Sequence, residues 1–362
     1  MSGVCHSSLV AHHSWLGTHN SLLIPKRVAY PNGMNGVSAL APSPPSPPPL
    51  ARDFYTRKLA EGGAVLAPMA GFSDAPFRRL CRRFGSAWAV TEMVSAKALT
   101  VGDERGLEIS APYEGERDLV IQVFGGEPEV VAAGGRLLYE RFSPAALDLN
   151  MGCPVKKVTG RSCGAKLMND PGRAAAIIGQ LARAVPVPVS AKLRLGYDRV
   201  NALEVALALQ EAGAALITIH GRTAAQKYTG EADWEAVAEI AARLAIPVVG
   251  SGDVTTQEQF RRYRAWGLGV MVGRGALGRP WVFRELRGEP APPLPEIKDL
   301  ILEHARSMRA WYGTDHAVIK MRGHLARYAQ AFPEPEALRK ALMQVSTLGA
   351  LERVLACALP GA

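Results

Sequence analysis

The chain has 362 residues, 48% of them hydrophobic and 21% charged, the balance of a folded globular protein, which excludes wholesale disorder. Its 42 basic residues outnumber its 33 acidic ones for a net charge of +9, so the composition admits a polyanionic partner without requiring one. No run of eighteen apolar residues is available to span a membrane. The five cysteines (Cys5, Cys81, Cys153, Cys163 and Cys357) are odd in number and widely spaced. Neither a disulfide framework nor a metal site is expected from them, and a reducing, cytoplasmic setting is.

Positions 1–50 have a character of their own. They hold no Asp or Glu, only Lys26 and Arg27 as strong bases, and six prolines between Pro42 and Pro49. The apolar core and cleavage site of a secretory signal are missing, and the segment is too poor in Arg to make a good transit peptide. We read it as a disordered leader, either an upstream extension or a start codon placed too early.

From residue 62 onward, short apolar runs alternate with helix-like stretches. Strands are expected at 64–67, 87–91, 119–124, 145–149, 187–193, 215–219, 246–249 and 269–272. Helices are expected between them over 75–84, 128–142, 171–184, 200–212, 234–244 and 256–266, with a short one at 281–287. Eight nearly all-apolar strands with intervening helices predict a closed parallel (β/α)8 barrel, the TIM-barrel architecture. A doubly wound open sheet is the competing arrangement, but it carries a Gly-rich loop after its first strand, and here that strand ends in Pro68-Met69-Ala70. Beyond a Pro-rich break at 289–295 the pattern turns purely helical, over 300–311, 318–329, 336–342 and 346–355. The chain is therefore divided into a leader (1–50), a barrel (51–288) and a small helical bundle (289–362).

Barrels of this kind place their chemistry at the C-terminal ends of the strands. Those positions hold Pro68 and Met69, Glu92, Gln122, Asn150 and Cys153, Lys192 and Arg194, His220 and Arg222, Ser251-Gly252-Asp253, and Gly273-Arg274. The last two turns are where such barrels bind phosphate, because glycines let backbone N–H groups approach an anion. Lys192 and Arg194 share one face of their strand, a costly pairing unless an anionic or electron-rich ligand receives it. Cys153 lies between Gly152 and Pro154, and a free thiol, with an ordinary pKa of about 8.5, can act as an acid as readily as a nucleophile. Lys156, Lys157, Arg161 and Lys166 make the following loop basic. In the bundle, Arg306, Arg309, Lys320, Arg322 and Arg327 face the single acid Asp315, with Trp311, Tyr312 and Tyr328 interleaved. Both basic stretches suit a polyanion, and both are equally compatible with simple solvation.

Four motifs resemble the tRNA-dihydrouridine synthases: Leu66-Ala67-Pro68-Met69-Ala70-Gly71, Asp148-Leu149-Asn150-Met151-Gly152-Cys153-Pro154, Ala191-Lys192-Leu193-Arg194 and His220-Gly221-Arg222-Thr223. The stretch Gln226–Trp234 strengthens the match, which covers about Phe54 to the last helices and looks most like the bacterial B-type branch. The resemblance implies FMN as cofactor, NADPH as electron donor and tRNA uridines as substrate, in a monomeric enzyme. It implies that Pro68, Met69 and Ala70 line the flavin, that Gln122 and Lys192 meet its ring, and that His220, Ser251, Gly252, Asp253, Gly273 and Arg274 hold its phosphate end. Asn150 and Arg194 would grip the uracil, Cys153 would donate a proton, and Lys156, Lys157, Arg322 and Arg327 would meet the tRNA backbone. One position departs from the family pattern, since Ser251 stands where Asn is expected. Two other readings stay open: an FMN barrel acting on a free pyrimidine, of the dihydroorotate or dihydropyrimidine dehydrogenase kind, and a non-catalytic tRNA-binding folding factor.

Overall fold

The structure, a computed structural model, describes residues 53–160 and 162–358; the leader, Cys5 and Arg161 lie outside the described residues. Nine parallel strands form one sheet: β1 (Val65–Leu66), β2 (Ala89–Val90), β3 (Val94–Ser95), β4 (Leu119–Phe124), β5 (Ala146–Asn150), β6 (Val189–Arg194), β7 (Leu216–His220), β8 (Val248–Ser251) and β9 (Gly269–Val272). They run in the order β2-β1-β9-β8-β7-β6-β5-β4-β3, and the β2–β4 pairing closes the sheet on itself. The closed sheet is a (β/α)8 barrel, so the open-sheet alternative falls.

The ninth strand arises because the expected second strand is interrupted. Both β2 and β3 pair with β4, at Ala89↔Leu119 and Val94↔Val123, with Thr91-Glu92-Met93 between them outside the ladder. There the Thr91 hydroxyl accepts from the Gln122 amide N–H at 3.1 Å and donates to the Glu92 carbonyl at 2.8 Å. A side chain thus replaces a ladder bond where Glu92 leaves the sheet.

Alternation along each strand sorts the core into two layers. Outward residues such as Leu66, Ile121, Leu147, Leu193, Ile219 and Val270 pack beneath the surrounding helices. The inward set, Val65, Trp88, Val120, Ala146, Leu216, Val249 and Met271, fills the barrel, and Phe54 and Tyr55 of helix α1 (Phe54–Ala60) join it. Helices α2 (Ala75–Arg83), α3 (Ala96–Thr100), α4 (Glu104–Ser110), α5 (Pro128–Phe142), α6 (Lys156–Thr159), α7 (Pro171–Ala184), α8 (Ala202–Glu211), α9 (Trp234–Ala241), α10 (Gln257–Ala265) and α11 (Val282–Leu286) follow in chain order. Among them α3, α4 and α6 were not expected from the sequence. A Cβ at Gly134 of α5 would come within 3.0 Å of the Ala96 Cα, a close approach that seats α3 by tertiary packing rather than by its own pattern.

The C-terminal helices are α12 (Leu294–Tyr312), α13 (Arg322–Tyr328), α14 (Pro335–Leu342) and α15 (Leu348–Ala358). Helix α12 starts six residues before its expected start at 300, because Pro295 sits in the first turn, where proline needs no N–H partner. The single helix expected over 318–329 is instead a 3-10 helix, Asp315–Met321, running into α13. Their apolar core includes Leu80 of α2 and Phe84 directly after it, so these helices are packed against the barrel wall.

Arg78 ties this wall to the segment before β4 by an ion pair and to the loop after β1 by a hydrogen bond. Arg78, fully buried on α2, donates from Nε and Nη2 to the two Glu116 carboxylate oxygens at 2.8 Å each, and from Nη1 to the Ser73 carbonyl at 3.1 Å. Ser73 Oγ in turn accepts from the Met69 N–H at 2.9 Å. Glu116→Ala leaves the guanidinium buried and unpaired, and we expect a loss of about 3–5 kcal/mol in urea unfolding. The double variant Arg78→Met/Glu116→Leu should recover most of it; an equal loss in both would show that the orphaned charge is not the cause.

Candidate active site

The inward alternation that is apolar at the barrel floor turns polar toward the C-terminal ends of the strands. Gln122 on β4, Asp148 and Asn150 on β5, Ser190, Lys192 and Arg194 on β6, Thr218 and His220 on β7, and Ser251 on β8 occupy the inward positions. Strand register sets them side by side, through Gln122↔Asp148, Asp148↔Ser190, Asn150↔Lys192, Arg194↔His220 and His220↔Ser251.

Because these groups lie out of water, they satisfy one another. The Tyr55 hydroxyl donates to Ser190 Oγ at 2.8 Å, and Ser190 donates to Asp148 Oδ1 at 2.6 Å. Asp148 Oδ2 accepts from Gln122 Nε2 at 2.7 Å, which turns Gln122 Oε1 toward Asn150 Nδ2 at 2.8 Å. Asn150 Oδ1 then accepts from the Cys153 N–H at 3.0 Å and the Gly152 N–H at 3.3 Å. An acceptor-only carboxylate at one end fixes the direction of both amides, and so presents the turn that carries Cys153. Burial pushes Asp148 up to about 6, against the lowering effects of its two hydrogen bonds and of Lys192.

No hydrogen bond or ion pair engages Lys192 Nζ among the described residues. Burial, then the neighbouring Arg194 charge, pushes Lys192 down to about 8, while Asp148 works the other way. Arg194 is held by carbonyls: Nε donates to Gly152 at 2.8 Å, and Nη1 to Thr223 and Lys227 at 2.9 Å each. Burial pushes the Arg194 pKa down, and the neighbouring Tyr228 and Cys153 side chains oppose it. Burial, with Lys192, Arg194, Arg222 and Arg274 around it, pushes His220 down to about 2, so its imidazole is neutral at any physiological pH.

The turns after β8 and β9 form a cationic corner. Arg222, buried in the structure, donates to Asp253 Oδ2 and to the Gly230 carbonyl, and Arg274 donates to Asp253 Oδ1 at 2.9 Å. Burial works to raise the Asp253 carboxyl, but the hydrogen bond and charge of Arg222 outweigh it and hold the group below the usual range. Tyr228 lies under Arg274, 4.4 Å from its ring centroid. The N–H groups of Gly252, Asp253 and Gly273 have no acceptor among the described residues. Three free donors beside two arginines make a site for an anion. A Cβ at Gly252 would meet Ala232 Cβ at 2.4 Å, in a backbone of φ +135°, so only glycine fits there.

The structure thus brings together Gln122, Asn150, Cys153, Lys192, Arg194, His220, Ser251, Gly252, Asp253, Gly273 and Arg274 at one end of the barrel, with Pro68, Met69 and Ala70 in the loop leaving β1. Lys156 and Lys157 are exposed on α6. Arg322 and Arg327 sit apart from this group on α13; Arg327 is exposed, whereas Arg322 Nη2 donates to the Val345 carbonyl at 3.2 Å. The basic cluster of the C-terminal helices is partly neutralised, since Arg306 pairs with Glu352 at 3.1 Å and Arg309 with Asp315 at 2.8 Å. Asp148, Ser190, Thr91 and Tyr55 belong to the site's framework and were given no role from the sequence; Arg222, which the sequence placed at its strand end, belongs to it as well. The period-2 recurrence of polar residues in apolar strands (148 and 150; 190, 192 and 194) was the available signal for the first two.

Residues 65–360 match the family described as Dihydrouridine synthase (Dus). The chain is similar to the tRNA-dihydrouridine synthase B of Pseudomonas aeruginosa, at 38% identity over 74% of this chain and 84% of that protein. It is also similar to the probable tRNA-dihydrouridine synthase of Rhodobacter capsulatus, at 40% identity over 78% of this chain and 90% of that protein. The tRNA-dihydrouridine synthase B of Xanthomonas campestris is 37% identical, over 78% of this chain and 88% of that protein.

The Asp148 carboxyl generates a pH signature. Its pKa of about 6 in the fold exceeds its ordinary 3.8, so the folded state binds the extra proton and stability falls as pH rises from about 4 to 6. The loss attached to this group is about 3 kcal/mol, and Asp148→Asn should lack it. Urea unfolding of both proteins at pH 4 and pH 7 checks this, and an identical pH difference in the two would refute it.

Proposed function

Because the chain belongs to the dihydrouridine synthase family, an oxidoreductase family, we propose that it reduces the C5=C6 bond of particular uridines in tRNA to 5,6-dihydrouridine, with FMN as cofactor and NADPH as electron donor. The observation that carries this reading is the pairing of a fixed cysteine turn with an unpartnered lysine at one barrel mouth, beside an anion corner of free N–H groups.

These residues fit a flavin mononucleotide. Gly252, Asp253 and Gly273 would offer N–H donors to its phosphate, with Arg274 and the Ser251 hydroxyl beside them. Asp253, as a carboxylate, would not meet that phosphate; it aligns Arg222 and Arg274. His220, being neutral, would add a hydrogen bond without adding charge. Pro68, Met69 and Ala70 would line the ring system, Gln122 would meet its polar edge, and Lys192 would find there the electron-rich partner it lacks. When bound, FMN supplies the hydride for C6 that no side chain can carry.

The protein's own residues do the rest. Asn150 and Arg194 would receive the polar edge of a uracil drawn out of its stack, a step that costs a few kcal/mol. The Cys153 thiol donates the proton to C5 as general acid. The thiolate left behind would lie near the Arg194 guanidinium. Phosphate contacts from Lys156, Lys157 and Arg327 offset the cost of extruding the base, with Arg322 contributing from its tethered position. In this reading residues 51–288 form the FMN-binding barrel and residues 289–362 the tRNA-binding helices. The enzyme acts as a monomer in the cytoplasm.

Cys153→Ala should retain bound flavin and tRNA affinity but form dihydrouridine at least about 100-fold more slowly. Full activity of that variant on unmodified tRNA would sink the assignment. Salt dependence provides a second check. Neutralising Lys156, Lys157 and Arg327 should each lower the slope of log affinity against log salt by about 1. Arg322→Gln should change it less, and a slope unmoved in all four variants would remove the tRNA contacts from these residues.

A further inference from the structure

A second cleft of about 560 Å3 opens where the loops after β1 and β2 meet the C-terminal helices. Its floor holds Asp74 and Glu92, both half-buried, and its walls carry Arg105 and Glu108 of α4, Trp311 and Tyr312 of α12, and Lys320. The volume falls in the ordinary range of small-molecule sites. Glu92 joins this cleft to the barrel mouth, for its Oε2 accepts from the Gly71 N–H at 2.5 Å, directly after the loop of Met69 and Ala70. Tyr312 donates to Asp74 Oδ2 at 3.3 Å, and Lys320 Nζ lies 4.2 Å from the Tyr312 ring centroid. The side chains of Arg105 and Glu108 enter no hydrogen bond or ion pair among the described residues.

The chemistry of these walls narrows the ligand. The carboxyl groups of Asp74, Glu92 and Glu108 disfavour a phosphate inside the cleft and favour N–H donors, and the Glu108 carboxylate, which no protein group engages among the described residues, is the one open to an amino group. The half-buried indole of Trp311 offers a flat face for stacking, while the exposed cations Arg105 and Lys320 at the rim suit a single phosphate. A purine or cytosine nucleotide meets all three demands, the first through its exocyclic amino group; uracil, whose only donor on that edge, N3–H, lies between two carbonyl oxygens that a carboxylate repels, does not. We propose that this cleft is a second nucleotide subsite, taking an unstacked nucleotide whose base bears an exocyclic amino group. An RNA strand is the favoured source, because Lys320 lies in the basic stretch between Arg306 and Arg327. The subsite would then read a base near the uridine being reduced, a role that rests on the function proposed above. The adenylate half of a dinucleotide reductant has the same chemistry and is separated from RNA by the test.

The test uses the full-length, flavin-loaded protein. AMP and CMP should quench tryptophan fluorescence in the wild type and not in Trp311→Ala, while UMP should quench neither. Glu108→Gln should abolish that quenching and raise KM for a tRNA transcript about 10-fold, with kcat and KM for NADPH within about twofold. Trp311→Phe, which keeps a flat face, should restore most of the transcript affinity lost in Trp311→Ala. A rise in KM for NADPH instead of tRNA would overturn the RNA assignment in favour of the dinucleotide. Absence of quenching by any mononucleotide, or equal quenching by UMP, would overturn the subsite itself. A wild type that forms no dihydrouridine yet shows the AMP response would remove the proposed function and leave the subsite standing.

Discussion

A carboxyl group in the middle of a closed barrel has no water to turn to, and the upper half of this barrel is arranged around that constraint. Asp148 points inward because β5 alternates and Leu147 and Leu149 must face the helices. Once inward, it needs donors on both oxygens, and Ser190 and Gln122 supply them from the two adjacent strands. Each donor is then committed in direction, so Gln122 can only offer its carbonyl oxygen to Asn150, and Asn150 only its own to the turn of Cys153. Even the barrel floor takes part, through the Tyr55 hydroxyl on Ser190. A single buried acid thus orders groups on four elements, and the cysteine turn inherits a position set by hydrogen-bond polarity.

The second organising feature is an imbalance of charge. Lys192, Arg194, Arg222 and Arg274 all act on His220, and Asp253 is the acid paired directly with two of them. Such crowding destabilises the fold, and an anion bound among these groups would relieve it and make the protein more stable with the anion than without it. The neutral state of His220 is part of this economy of charge. A fifth positive group among four would add repulsion, whereas a neutral imbalance-free ring can still hydrogen-bond.

Much of this was legible in the sequence for a stateable reason. Strands β4 and β9 and helices α5 and α7 fall where their patterns place them, because each has a sharp punctuation: Pro128 and Pro171 at helix starts, and glycines bounding β9. Segments stabilised from outside were not legible. Helix α3 depends on Gly134 across the helix interface, and the break between β2 and β3 depends on the Thr91 hydroxyl meeting a backbone group 31 residues away. The polar residues gathered at the barrel mouth could be picked out at strand ends, but not their partners. Nothing in the local sequence indicates that Asp253 spends its carboxylate on two arginines, or that Glu352, 46 positions from Arg306, neutralises part of the basic cluster.

The docking of the C-terminal helices on the barrel carries the remaining physical consequence. His304 of α12 and His324 of α13 are buried against Phe77 of α2, with ring centroids 5.8 and 4.2 Å from it. Burial pushes His324 down to about 4, and it pushes His304 well below its ordinary value with His324 adding to the effect, so both imidazoles are neutral. Two uncharged rings packed on a phenyl, His304 stacked and His324 tilted, behave as core, and His324 is further located by its 3.3 Å contact with the Phe72 carbonyl. Phe72 lies one turn of chain from Met69, in the loop that leaves β1. The helices that carry Lys320 and Arg327 are therefore registered against the same loop that borders the barrel mouth. On the proposed function, an RNA strand held by those helices would reach the mouth from a position that this docking fixes.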